Sequence, residues 1–72
     1  MELITKRVAQ VIREKRKQIG LSQEALAEKA DIDRTYVSLI ERAKVNITLV
    51  VASKIAHALG LPLSKLIKNI EL

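Results

Sequence analysis

Residues 22–42, SQEALAEKADIDRTYVSLIER, leave this chain little choice of fold. They read as two short helices joined by a tight polar turn. Ser22 suits the N-cap of the first, and Glu24 stands where the positive end of the helix dipole favours a carboxylate. Leu26, Ala27 and Ala30 then share one face at helical spacing. Asp31-Ile32-Asp33 interrupts the pattern, and Asp33 can cap a second helix by accepting an orphan backbone N–H. In that second helix Val37 and Ile40 point inward, with Asp33 and Tyr36 flanking their side. The opposite face is centred on Thr35, Ser38 and Arg42, with Arg34 and Leu39 at its edges. A short helix that turns hydroxyls and a guanidinium outward suits the major groove of DNA.

Ahead of this pair, Ile4, Val8, Val11 and Ile12 repeat at helical spacing and predict a first helix from Glu2 to Lys17 or Gln18. Four residues further along that buried stripe stands Arg16, a charge that needs a partner if it faces the core. Arg13, Lys15 and Lys17 read as a solvated basic face, with phosphate contact secondary. Gly20 sits where a helix end favours a left-handed residue, and Gly60 has the same place after a fourth helix. That fourth helix is expected over 48–59, capped by Thr48, with Leu49, Ala52, Ile55, Ala56 and Leu59 inward. Pro62 fits the first turn of a fifth helix whose apolar stripe is Leu63, Leu66, Ile67 and Ile70. No segment alternates as a strand does, so the expected fold is all-α: five helices in one domain spanning 1–72.

Composition narrows the functions available. Seventy-two residues can bury one modest core, and with 49% apolar residues but a single aromatic, Tyr36, that core must be aliphatic. So few rings disfavour readers of single strands and RNA loops, which stack bases on aromatics. Cysteine is absent and His57 is the lone histidine, expected at the surface without chemistry. No His–carboxylate–nucleophile set, phosphate-cradling loop or metal-ligating cluster is present. An enzyme is therefore not expected, nor a cofactor, metal or small-molecule ligand. The formal charge of +5 and a pI near 9.9 favour a polyanionic partner. No apolar run approaches the ~20 residues that span a bilayer. Glu2, Lys6 and Arg7 interrupt any leader-like stretch, so a complete, cytoplasmic protein is expected.

Gly20-Leu21-Ser22-Gln23-Glu24, Leu26-Ala27, Asp33-Arg34-Thr35-Tyr36-Val37-Ser38 and Ile40-Glu41-Arg42 together resemble the phage-repressor helix-turn-helix family of Cro/C1 (XRE) type. The run from Asp33 to Arg42 followed by Asn46 is similar, more particularly, to the small controller proteins of bacterial restriction–modification operons. The likeness covers about residues 4–67. It implies a compact five-helix DNA-binding domain in a bacterial or phage, nucleoid-associated regulator. It also implies that Arg16 pairs with Glu41 at the end of the second motif helix, as a structural ion pair.

The resemblance and the helical faces together suggest roles for individual side chains. Arg34, Thr35, Ser38 and Leu39 are the candidates for reading bases. Arg34 can fork onto guanine or be held in a surface ion pair by Asp31 or Glu24. Leu39 can meet a thymine methyl or be shielded by its neighbours. Gln23, Tyr36, Arg42, Lys44 and Asn46 are the candidates for the DNA backbone. Tyr36 can pack on the core with its hydroxyl at a phosphate, and Asn46 can equally cap the loop before the fourth helix. Three departures from the family pattern concern the same region. Ala43 replaces the usual glycine, Val45 stands where controller-like relatives often carry a basic residue, and Leu39 is bulky where some have glycine.

Val50 and Val51 lie off the inward stripe of the fourth helix, at positions often polar in single-domain relatives. With Ile47, Ile67 and Ile70 they predict an apolar patch and a homodimer formed through helices four and five. The expected function is thus a sequence-specific regulator of transcription that binds double-stranded DNA as a homodimer on a roughly palindromic operator. The alternative is an antitoxin-like or coactivator-like module whose main ligand is another protein, drawn to the same patch.

Overall fold

The computed structural model describes residues 2–71, so the expected domain of 1–72 extends one residue beyond it at each end. Five helices follow in order: α1 (Glu2–Gln18), α2 (Gln23–Ala30), α3 (Arg34–Glu41), α4 (Leu49–Ala58) and α5 (Leu63–Ile70), with no strand among the described residues. Three of the starts are fixed by the side chains that the sequence suggested. Ser22 Oγ accepts from Ala25 N at 3.0 Å, Asp33 Oδ1 from Thr35 N at 2.7 Å, and Thr48 Oγ1 from Val51 N at 3.1 Å. Pro62 precedes α5 as its N-cap residue and supplies no side-chain bond.

The first four helices end in one way. In each, two backbone N–H groups beyond the last turn reach back to carbonyls three and five residues earlier. Gly20 and Leu21 do so on α1, Asp31 and Ile32 on α2, Ala43 and Lys44 on α3, and Gly60 and Leu61 on α4. This closure demands a left-handed residue at its centre. Gly20 and Gly60 take it at φ 75° and 76°, whereas Asp31 and Ala43 are forced there at 57°. Aspartate tolerates that conformation better than alanine does.

The core is aliphatic, as the composition required. Ile12, Leu26, Val37, Ile40, Ile55 and Leu66 are sealed from solvent. Each contributes about 1.5–3 kcal/mol of transfer free energy. α2 packs on α3 and α4, while α1 rests against α3 and α5, and α4 against α5. Arg7 Nη2 fastens α1 to the end of α5 by donating to the Asn69 carbonyl at 3.0 Å.

Three apolar positions depart from the periodic reading. Leu49, expected inward, is 71% exposed. It is the first residue of α4, and helix side chains lean toward the N-terminus, so this one leans past the end of its helix. Ile4 is 41% exposed on the opening turns of α1. In α5 the stripe divides: Ile67 is 44% exposed and Ile70 only 8%. Ile70 therefore belongs to the protomer's own core, a correction to its expected place in a dimer interface. Val51 likewise packs partly against the core, whereas Val50 is 66% exposed. No single described helix is long and apolar enough to cross a membrane. The pair α4–α5 passes that test only jointly, and is bent by 105°.

Candidate nucleic-acid interface

The second motif helix is anchored from beneath. Val37 and Ile40 are buried, which fixes the rotation of α3 and turns Arg34, Thr35 and Arg42 to solvent, with Ser38 and Leu39 half-exposed beside them. Arg34 takes part in no ion pair among the described residues, so neither Asp31 nor Glu24 holds it. Leu39 is neither sealed by its neighbours nor fully presented. Lys44 and Asn46 continue the exposed surface into the following loop.

That loop is held by side chains the sequence placed near DNA. Thr5 Oγ1 donates to Asn46 Oδ1 at 2.9 Å, tying the loop to α1 and leaving the amide nitrogen as the end that can donate outward. The Tyr36 hydroxyl donates to the Asn46 carbonyl over a long 3.5 Å, and its ring packs against the core. Asn46 thus fastens the loop to α1, while Thr48 caps the helix that follows. Val45 is half-buried against the core, so the position at which relatives often carry a basic residue serves packing in this chain.

Beneath the start of α2 lies the ion pair that the resemblance implied. Arg16 Nε donates to Glu41 Oε2 at 2.7 Å and Nη2 donates to Oε1 at 2.9 Å, a two-pronged contact between buried side chains. Arg16 Nη1 also donates to the Leu21 carbonyl at 2.8 Å, fastening the α1–α2 turn. The hydrogen bonds to Glu41 raise the Arg16 guanidinium above arginine's usual pKa, outweighing the opposite effect of burial.

Gln23 completes this cluster, which the sequence did not reveal. Its Nε2 donates to Glu41 Oε1 at 3.1 Å, so the residue assigned to phosphate is also a partner of the buried carboxylate. Arg13, Arg16, Gln23, Ser38, Glu41 and Arg42 enclose a polar recess of about 230 Å³ where the start of α2 meets the end of α3. Because Arg16 neutralises Glu41, the net charge of the recess comes from Arg13 and Arg42. The unsatisfied N–H groups of a helix start add to it, and the whole suits an anion such as a phosphate. Arg13, which the sequence presents as part of a solvated face, stands one turn before Arg16, and that spacing puts both on one side of α1. Among the described residues no group of three His, Cys, Asp or Glu stands together as a metal site would need.

Two short helices meeting at a capped turn, with the second seated on the core and facing outward, define a helix-turn-helix module. The Helix-turn-helix family model matches residues 12–66. The control protein C.MunI of a Mycoplasma species is 46% identical over 57 residues, covering 79% of this chain and 77% of that protein. The crystal structure of the restriction–modification controller protein C.AhdI from Aeromonas hydrophila superposes with a TM-score of 0.83 at 40% identity, over 86% of this chain and 94% of that one. The controller protein C.Esp1396I, solved as a tetramer in complex with its natural 35-base-pair operator, gives 0.81 at 37% identity over 93% of each chain. The chain belongs to the Helix-turn-helix family and is similar to its restriction–modification controller proteins. These are regulators, not enzymes.

Proposed function

We propose that this protein is a homodimeric, sequence-specific regulator of transcription that binds a roughly palindromic operator in double-stranded DNA and controls a restriction–modification operon. The observation that carries the reading is the outward face of α3. Arg34 and Thr35 stand exposed on a helix whose other side is locked into the core, and Arg34 joins no ion pair among the described residues. Arg34, Thr35, Ser38 and Leu39 meet base edges in the major groove. Gln23, Arg42, Lys44 and Asn46 hold phosphates on either side, and Tyr36 braces the loop from which Asn46 reaches. Two protomers join through Leu49, Val50 and Ile67, the apolar side chains that α4 and α5 leave exposed. The relative C.Esp1396I, taken with its operator as a tetramer, supports both DNA and self-association. Such a protein works in the cytoplasm, on the nucleoid.

Footprinting on DNA upstream of the protein's own gene tests this reading. Protection of two adjacent, inversely related segments is expected, with log affinity falling linearly as log salt rises. No protection, or a response indifferent to salt, would point instead to a module that binds another protein.

A further inference from the structure

One charged surface is unused by base recognition. Lys6, Arg13 and Lys17 stand seven and four residues apart on α1, which at 3.6 residues per turn places them within about 40° of one another. Gln10 and Glu14 step away to one side of this line, and Ala9 is buried on the other. At 1.5 Å per residue the three cations mark out about 16 Å of helix. They form one wall of an open groove of about 540 Å³, and Arg42 and Ala43 at the end of α3 contribute the other. Lys6, Arg13, Lys17 and Arg42 are all exposed, and none joins an ion pair among the described residues. Of the two carboxylates in the groove, Glu41 is matched by Arg16, which leaves Glu14, hydrogen-bonded by the neutral Gln10 amide, as the one negative charge facing four cations. The surplus is therefore strongly positive. Arg13 and Arg42 also line the polar recess at the start of α2, so the positive surface runs unbroken from the base-facing side onto α1.

We propose that the Lys6–Arg13–Lys17 stripe is a second track for the DNA backbone, holding operator flank outside the bases that α3 reads. This rests on the DNA-binding reading above. The charges are strung along a line and do not converge on a point, which matches the spaced phosphates of a strand better than a single small anion. Lysines at both ends give attachment without sequence preference, since an ammonium acts as a point charge without the planar fork of arginine. Reaching the stripe requires the flank to curve toward α1, so flanks with flexible pyrimidine–purine steps bind better than stiff A-tracts.

The test uses one operator in two lengths, ending at the half-sites or extended by about ten base pairs, one helical turn, on each side. The full chain is compared with the double variant Lys6→Ala, Lys17→Ala, which leaves the recess residues Arg13 and Arg42 intact. Circular dichroism confirms that the variant is folded. On the short duplex the two proteins should have equal affinity and equal salt slopes. On the extended duplex the variant should lose about tenfold at low salt, with a slope shallower by about 1.8, or 0.9 per phosphate released. Equal slopes on the extended duplex overturn the track and leave the stripe for an acidic protein. Equal losses on both duplexes overturn the flank assignment, because the lysines then act inside the core operator. If the full chain itself distinguishes neither duplex from unrelated DNA, the DNA-binding reading fails first, and visibly so.

Discussion

Gln23 Nε2 and Glu41 Oε1 share a hydrogen bond of 3.1 Å, and the same oxygen accepts from Arg16 at 2.9 Å. A helix start assigned to DNA and a buried ion pair thus meet at one atom. Arg16→Ala or Glu41→Ala leaves an unpaired, largely buried charge and should cost about 3–5 kcal/mol of stability. The double variant should cost less than the two losses summed, a coupling that a denaturation cycle reads directly. Gln23→Ala should differ in kind: about 0.5–1.5 kcal/mol in stability, but a marked loss of DNA affinity.

The raised pKa of Arg16 fixes how this pair responds to alkali. A cation whose folded pKa lies above its unfolded value stabilises the fold fully at any pH below the unfolded one. The contribution disappears only as pH climbs through the raised value, in strong base. Between pH 7 and 10 the difference in stability between the parent chain and Arg16→Ala should therefore hold constant. A gap that narrowed across that window would contradict the assignment.

Ala43 closes α3 at φ 57°, in a turn that on α1 and α4 is given to glycine. Ala43→Gly should raise stability by about 0.5–1 kcal/mol, since relief of left-handed strain exceeds the added freedom of the unfolded chain. Asp31→Gly should gain less, because aspartate tolerates the conformation. Urea midpoints of the two variants, compared at equal m-value, give the order.

Base readers and backbone contacts should separate in selection experiments. Arg34→Ala is expected to cost about 1–3 kcal/mol on the preferred operator and to relax choice at one base pair. Lys44→Ala should weaken every sequence alike and flatten the salt slope by about one unit. If Arg34→Ala keeps its preference and loses affinity uniformly, Arg34 belongs to the backbone and specificity passes to Thr35, Ser38 and Leu39.

The two isoleucines of α5 offer a matching contrast. Val50→Asp or Ile67→Asp should yield folded monomers by sedimentation equilibrium, because both positions face solvent in the protomer. Ile70→Ala should instead lower stability by about 2–5 kcal/mol, as core truncations do. A parent chain that stays monomeric at hundreds of micromolar would remove the interface altogether.

What was legible in the sequence follows from which forces act locally. Ser22, Asp33 and Thr48 were readable as caps because a cap is satisfied within three residues. The Arg16–Glu41 pair was readable because a charge on an apolar stripe demands a partner, which the family pattern supplied. Periodicity failed where the helix ran out of neighbours, at Ile4 and Leu49, and at Ile67, which α5 turns to solvent while Leu66 and Ile70 stay in the core as the stripe implied. Gln23's bond to Glu41 was invisible because it joins residues eighteen positions apart, and amide partners leave no periodic trace. The left-handed Asp31 was likewise unread, since it sits in a turn whose second aspartate already explained the break.

Selection of bound duplexes from a random pool tests the central claim most directly, because it asks the protein for its own operator. If α3 reads bases from a two-fold dimer, the recovered sequences should contain an inverted repeat with half-site centres roughly 34–36 Å apart, one turn of DNA. The same selection with Arg34→Ala should blur one position in each half. Recovery of no shared sequence, or of a single unrepeated site, would contradict a dimeric operator-binding regulator.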